Sequence, residues 1–127
     1  MALTVRIERE IKTGVSARVT LAGRLDTGTA PQLEAELLPL LGGPIRVLAF
    51  DLAELEFITS AGLRVLLAAR KALSDRGGSV AFVNMQPQIQ RVAEIVKSLP
   101  SFRIFASTKE LDDYLAAIQQ KVIDGEA

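Results

Sequence analysis

The sequence contains neither cysteine nor histidine. Without thiols it can form no disulfide and offers no thiolate nucleophile, and without imidazole it lacks the commonest general base and the usual zinc ligands. Carboxylates could still hold magnesium or exchange protons, so these absences disfavour an enzyme without excluding one. We therefore expect a non-enzymatic protein that carries no cofactor and no metal.

An excess of either charge is also missing, because 15 Lys and Arg balance 15 Asp and Glu. No basic surplus exists to neutralise phosphates, which argues against nucleic acid as a partner. The longest apolar runs, around 47–50 and 65–69, are far too short to span a bilayer, and the first residues lack the pattern of a signal peptide. These features predict a cytoplasmic protein without membrane contact.

Aromatic residues supply only 5% of the 127 residues, whereas 49% are hydrophobic. A core must therefore be built mainly from Leu, Ile, Val and Ala. The length suits one domain, which is large enough to bury a core without disulfides or metals. We expect a single domain over residues 1–127, with its core at about 4–118 and a frayed tail at 124–127.

Hydrophobic periodicity predicts an α/β domain with the element order ββαβαβαβα and a mixed sheet whose later strands are parallel. Gly14 lies in the turn between the first two strands, and Gly23 is expected to break the second. A nearly continuous apolar run over 45–52 predicts a central strand covered on both faces. The last helix begins at a capping box, Ser107 to Glu110, and its expected apolar stripe contains Leu111, Tyr114, Leu115 and Ile118. The remaining elements are expected as helices starting at Thr29, Ser60 and Pro87 and as short strands at 80–83 and 102–105.

Two segments follow strands at the edge where α/β sheets usually bind ligands or partners, 23–26 and 51–63. Thr59 and Ser60 occupy helix-capping positions, and the first turn after them has no Asp or Glu to compensate its free N–H groups. Ala61 and Gly62 are small enough for another molecule to approach the backbone. We expect an exposed, rigidly held hydroxyl that could enter a kinase active site.

Each of these residues also has a simpler interpretation. In that interpretation Ser60 caps its helix and does nothing more, Gly62 serves helix–strand packing, and Asp26 only shapes a turn. Asp51, Glu54 and Glu56 could suggest magnesium, although such carboxylates more often belong to a solvated loop. Phosphate-binding loops of the G-x-x-x-x-G-K-[ST] and G-x-G-x-x-G types are absent, and Ser60 lacks both the G-x-S-x-G context and a histidine to activate it.

The combination of motifs is more specific than its parts. L-x-G-R-L-D at 21–26, an apolar strand ending in D-L at 51–52, and F-I-T-S-A-G-L-R-V-L-L at 57–67 together resemble the STAS family. More narrowly, they resemble the bacterial anti-sigma factor antagonists, over about 4–118. The resemblance implies that Ser60 is the phosphoacceptor and that Asp26 lies beside it and takes part in partner recognition. It places the partner-binding surface on Asp26, Thr59, Ser60, Ala61, Gly62 and Leu63. Thr59 stands where the family most commonly has Asp.

The resemblance also implies a partner-switching cycle. The unphosphorylated chain would sequester a serine kinase that doubles as an anti-sigma factor, and thereby free the sigma factor. The kinase would use its own ATP and magnesium to phosphorylate Ser60, and a serine phosphatase would reset the chain. Two alternatives stay open: a STAS scaffold subunit of a transporter or sensory complex without a phosphorylation cycle, and a small enzyme or nucleotide-binding domain.

Charge balance generates the first testable prediction. At physiological salt the chain should bind neither DNA nor RNA specifically, because a net charge of zero leaves little counterion release to drive association. A gel-shift titration against mixed oligonucleotides, with a basic DNA-binding domain as positive control, would measure this. Tight and sequence-selective retention of any one oligonucleotide would contradict the prediction.

Overall fold

The structure is a computed structural model that describes residues 2–10, 14–98 and 107–126, except for the side chains at 96–98 and 108. Within these ranges the chain forms four strands and four helices in the predicted order. The strand predicted at 102–105 lies outside the described residues. No helix in the described ranges is both long and apolar enough to cross a membrane. The elements are β1 (Leu3–Arg9), β2 (Ser16–Leu25), α1 (Ala30–Leu41), β3 (Val47–Ile58), α2 (Ser60–Ser74), β4 (Ser79–Val83), α3 (Pro87–Ser98) and α4 (Thr108–Ile123).

The four described strands form one mixed sheet in the order β1-β2-β3-β4. β1 and β2 are antiparallel, whereas β2 with β3 and β3 with β4 are parallel. Parallel neighbours need a crossover connection, which α1 and α2 provide. The α/β class and the mixed sheet are thus confirmed, and the carboxyl ends of β2 and β3 meet at one edge.

β3 is covered on one face only, so the prediction of a strand covered on both faces is wrong. Leu48, Phe50 and Leu52 are fully buried, while the alternate position Val47 is 47% exposed. The error arose because valine and alanine at the alternate positions are apolar without being buried. β3 also runs on to Ile58, six residues past the expected end of the apolar run.

β2 does not end at Gly23 as expected. Its pairing with β3 continues to Leu25, with a register shift between Gly23 and Arg24. Gly23 has a φ of +104°, a backbone conformation that glycine adopts without strain. A glycine within a strand often marks such an irregularity. The extension carries Arg24 and Leu25 out to the edge of the sheet where the candidate site lies.

One cluster of buried side chains joins the sheet to the described helices, and leucine dominates it, as the composition predicted. Phe50 and Phe82 add a stacked aromatic pair with ring centroids 5.7 Å apart. Leu111 and Leu115 of α4 belong to the same cluster, whereas Tyr114 is 42% exposed and lies outside the stripe predicted for it. At the chain's end, Asp124, Gly125 and Glu126 donate backbone hydrogen bonds to carbonyls of α4 and form the turn that ends it.

Asp51 anchors a polar cluster on the less covered face of the sheet. Its Oδ2 accepts a hydrogen bond from Arg18 at 2.7 Å, and its Oδ1 accepts bonds from the N–H of Ala53 at 3.1 Å and from Asn84 at 3.3 Å. The bond from Ala53 holds the pKa of the Asp51 carboxyl below its ordinary value, against an opposing effect of burial, with further support from Asn84 and Arg18. The carboxylate is therefore engaged by protein donors.

This cluster predicts a specific pH dependence of stability. The pKa of Asp51 is lower in the folded than in the unfolded chain, so its contribution is present above its ordinary pKa of 3.8 and is lost as pH falls through the folded value. Between pH 7 and pH 3, wild type should lose more free energy of unfolding than Asp51→Asn in urea denaturation. Asp75→Asn, which removes an exposed carboxylate paired with Lys71, is the matched control. Parallel pH profiles for wild type and Asp51→Asn would contradict the assignment.

Candidate functional site

The candidate site lies where the carboxyl ends of β2 and β3 meet. Leu25 pairs with Ile58 at the end of the parallel ladder, and the N–H of Thr59 donates to the carbonyl of Leu25 at 3.0 Å. Asp26 and Ser60 follow within two residues of this pair. The two residues therefore lie at the same end of the sheet, and the placement of Asp26 directly beside Ser60 stays a prediction.

Asp26 organises the turn that leads into α1. Its Oδ1 accepts hydrogen bonds from the N–H groups of Gly28 and Thr29, both at 3.0 Å. Thr29 stands at the N-cap position as predicted, but its hydroxyl does not cap α1. It accepts from the Asp26 N–H at 2.9 Å and donates to the Arg24 carbonyl at 2.8 Å. Asp26 therefore has the turn-forming role of its simpler interpretation, and its part in partner recognition stays a prediction.

Gly62 lies where the first turn of α2 contacts β2. A Cβ at this position would lie 2.5 Å from Cγ and 2.8 Å from the carbonyl oxygen of Leu25. Such distances leave room for glycine alone. Both Gly62 and Leu63 are buried against the protein's own core. The close approach expected at Gly62 is thus made by the sheet, and a partner contact by Gly62 or Leu63 stays a prediction.

The hydroxyl of Ser60 is not exposed, so that expectation is wrong. Ser60 begins α2 as predicted, with Thr59 at the N-cap position, yet its exposure is only 1%. Neither hydroxyl caps the helix, and both Thr59 Oγ1 and Ser60 Oγ are buried without a hydrogen-bond partner among the described residues. An unpaired buried hydroxyl costs stability, and natural structures contain few of them.

α4 contacts this junction through two polar side chains. Asp112 Oδ1 accepts a hydrogen bond from the Ser60 N–H at 2.8 Å, across 52 positions of sequence. Gln119, fully buried, accepts from the Ile58 N–H at 2.9 Å and donates to the Ile58 carbonyl at 2.8 Å. The first turn of α2 contains no acidic residue, as expected, but a carboxylate from α4 compensates it.

Asp112 and Gln119 were missed in the sequence. For Gln119 a signal existed, because it follows Leu111 and Leu115 at a spacing of four and therefore shares their face of α4. A polar residue in line with two buried leucines indicates a buried hydrogen-bond partner. Asp112 offered no comparable signal, since it stands beside Asp113 on a helix rich in charges.

Comparison with known proteins identifies the family. A family model described as the STAS domain matches residues 6–111. The chain belongs to the STAS domain family. Over 90 residues it is 36% identical to a putative anti-sigma factor antagonist, BtrV, of Bordetella bronchiseptica. The aligned region covers 71% of this chain and 77% of that protein.

Solved structures share the fold. An anti-sigma factor antagonist from Mycobacterium paratuberculosis superimposes with a TM-score of 0.60 at 25% identity, covering 93% of this chain and 95% of its own. The unphosphorylated form of the anti-sigma factor antagonist SpoIIAA superimposes with a TM-score of 0.62 at 19% identity, covering 72% and 83% of the two chains. The mixed sheet and its helices are therefore a STAS fold.

The surroundings of the STAS site contain a cation–π pair and an open groove. Within the described residues no group of three or more Asp and Glu side chains is placed to hold a metal. The Arg24 guanidinium lies 4.0 Å above the ring of Phe57, a cation–π contact at the same sheet edge. An open groove of about 370 Å³ between α1 and α2 is bordered by Thr27, Ala61 and Arg64 among others. Ala61 is thus the predicted partner-binding residue of α2 that borders open surface beside Ser60.

Gly62 provides a stability test of this geometry. Gly62→Ala should lower the free energy of unfolding by about 1–2 kcal/mol, because overpacking of this kind costs roughly 1–3 kcal/mol while helix propensity returns at most about 1 kcal/mol. Gly62→Leu should be worse. Gly28→Ala is the control, since its Cβ would meet nothing nearer than Asp26 Oδ1 at 3.5 Å. Urea denaturation would measure all three, and a Gly62→Ala variant as stable as wild type would refute the close contact.

Proposed function

We propose that this STAS domain is an anti-sigma factor antagonist: a non-enzymatic binding protein whose affinity for an anti-sigma serine kinase is set by phosphorylation of Ser60. Unphosphorylated, it sequesters the kinase. When Ser60 is phosphorylated, the domain releases the kinase. A serine phosphatase then restores the unphosphorylated domain. Nucleotide and magnesium belong to the partners.

The relatives support the general role. The Bordetella protein and both solved structures are named as anti-sigma factor antagonists, and this chain covers at least 77% of each of them. These names describe the relatives and not this chain. We propose the same role here because the relatives agree on it and because the motif at 57–67 resembles that of the family.

The observation that carries the switch is the environment of Ser60. Its hydroxyl stands at the start of a helix of 15 residues, at the carboxyl edge of the sheet, and no described residue bonds to it. An unbonded hydroxyl is free to become a phosphate ester without breaking a structural bond. The dipole of the helix start suits the dianion that results.

The proposed reaction is a simple phosphoryl transfer. Ser60 Oγ forms a bond to the γ-phosphorus of ATP while the bond from that phosphorus to the β,γ-bridging oxygen breaks, so ADP leaves. The hydroxyl proton passes to a base of the kinase. In the reverse limb a water molecule attacks the phosphorus, and serine and inorganic phosphate are released. The present chain supplies the acceptor oxygen and the docking surface.

Phosphorylation acts on the complex through charge. A phosphate carries a charge of about −1.5 to −2 at neutral pH, and the carboxylates at this edge, Asp26 and Asp112, have the same sign. In an interface that excludes water, such like charges lack compensation and strongly disfavour binding.

A second function is favoured by one observation, the burial of Ser60. A STAS scaffold subunit of a transporter or sensory complex would need no accessible acceptor. In that case Ser60 would be a packing residue, and the partner surface would lie elsewhere.

Substitution of Ser60 separates the two functions. Incubation with candidate kinases from the same organism and ATP, with mass-spectrometric mapping, should place phosphate on Ser60. Ser60→Asp should bind the cognate kinase roughly 100-fold more weakly, equivalent to about 3 kcal/mol, whereas Ser60→Ala should bind it but resist modification. Ser60→Ala should fold at least as stably as wild type, because the hydroxyl that it removes has no partner among the described residues.

Thr59→Ala is the matched control, since Thr59 also carries a buried, unbonded hydroxyl at the adjacent position. It should still be phosphorylated on Ser60. Wild-type affinity for Ser60→Asp, combined with phosphate on no residue, would replace the switch by the scaffold function.

A further inference from the structure

We propose that α4 is a cover that controls access to Ser60: docked through Asp112 and Gln119 it shields the hydroxyl, and a phosphate on Ser60 takes the place of the Asp112 carboxylate and keeps α4 released. This inference rests on the proposed function, because it concerns regulation of the same serine. The shielding itself is a property of the chain alone.

The first support is steric. Ser60 is 1% exposed and its Oγ is buried, so a kinase cannot bring a phosphoryl donor in line with that oxygen unless a neighbouring element moves. α2 packs so closely on β2 that a Cβ at Gly62 would lie 2.5 Å from Leu25 Cγ. α4 bonds the backbone N–H of Ser60 through Asp112, and it is the neighbour that the proposal assigns as the moving element.

The second support is how α4 is attached. Its polar anchors bond the backbone on either side of Thr59, through Gln119 to Ile58 and through Asp112 to the Ser60 N–H. Leu111 and Leu115 add apolar anchors in the core. α4 packs mainly on α3 and meets α2 and β3 over smaller contacts. A helix attached to the junction by a few side chains can detach from it while the sheet and α2 stay folded, which is how local opening commonly occurs.

The third support is electrostatic. No described lysine or arginine forms an ion pair with Asp112, so its carboxylate relies on the start of α2. Phosphates bind at helix N-termini through the same N–H groups and dipole. Carboxylate and phosphate cannot share this place, because two anions at hydrogen-bond distance repel each other. Two mutually exclusive occupants make the contact a two-state element.

The absence of cysteine from the chain allows a direct test that needs no kinase. Ser60→Cys places a unique thiol under α4, and its alkylation rate by iodoacetamide reports how often α4 opens. Ser74→Cys, at the exposed far end of the same helix, provides the reference thiol. The Ser60→Cys thiol should react at least tenfold more slowly than the Ser74→Cys thiol. Each rate is taken at the plateau of its pH profile, so that differences in thiol pKa do not enter.

Second substitutions in the Ser60→Cys chain identify the cover. Asp112→Ala and Gln119→Ala should each accelerate labelling about tenfold, since each removes hydrogen bonds of the charged or buried type that shift an opening equilibrium by that order. Gln119→Ala matters most, because it removes no charge near the thiol. Asp113→Ala is the matched control: it removes the neighbouring carboxylate, which pairs with Lys109 and not with α2. It should leave the rate unchanged.

The phosphate arm uses a mimic. Amide hydrogen exchange of 107–126 should be about tenfold faster in Ser60→Glu than in Ser60→Ala, which carries no charge. Equal amide hydrogen exchange rates in the two variants would overturn the proposal that the phosphate replaces the Asp112 carboxylate.

The remaining outcomes decide the cover. Equal labelling rates for Ser60→Cys and Ser74→Cys would overturn it. Faster labelling in Asp112→Ala without faster labelling in Gln119→Ala would also overturn the cover, because removal of a nearby charge would by itself account for the faster labelling. If Gln119→Ala fails to fold, Leu115→Ala, which loosens an apolar anchor of α4, takes its place with the same expected result. Because labelling involves no kinase, a chain with a confirmed cover but an unmodified Ser60 would count against the proposed function and not against the cover.

Discussion

The hydrogen bond from the Thr59 N–H to the Leu25 carbonyl, 3.0 Å long, joins the ends of β2 and β3 at the point where both strands turn away from the sheet. Gly62 adds a close packing contact beside this bond, because the absence of a Cβ lets the first turn of α2 pack directly on Leu25. The Asp26 turn starts one residue after Leu25, and Ser60 follows one residue after Thr59. Loss of this junction would therefore separate the two segments that the family motif identifies.

The same junction holds two hydroxyls that contribute nothing visible to stability. Thr59 Oγ1 and Ser60 Oγ are buried and unbonded among the described residues, whereas the three backbone N–H groups from Ile58 to Ser60 all have partners. The backbone of this junction is thus saturated, while the two side-chain hydroxyls are left without a hydrogen bond. Two of these three N–H partners, Gln119 and Asp112, belong to α4, so the saturation of this backbone depends on α4 staying docked.

Local patterns predicted much of this fold. The start of α2 at Ser60 depends on neighbours in sequence, and so does the capping box of α4, in which Ser107 Oγ accepts from the Glu110 N–H at 3.1 Å. The parallel later strands were predicted from the alternation of strands and helices along the chain. Errors arose where hydrophobicity was taken for burial. Val47 is apolar yet 47% exposed, and Tyr114 lies outside the stripe that should have contained it, while polar Gln119 is fully buried. Burial depends on which face meets another element, and composition does not report that.

By itself the sequence determined the order of the elements, the family motif at 57–67 and the position of Ser60 at the first residue of a helix, because capping, periodicity and turn formation act over a few residues. Only the tertiary structure decided whether that serine is exposed and what compensates its helix. Asp112 reaches the Ser60 N–H across 52 positions, and Gln119 reaches Ile58 across 61. Contacts of that span follow from the packing of α4 on the core. The spacing of Leu111, Leu115 and Gln119 indicates which face of α4 is buried, but it does not encode where on the core that face docks.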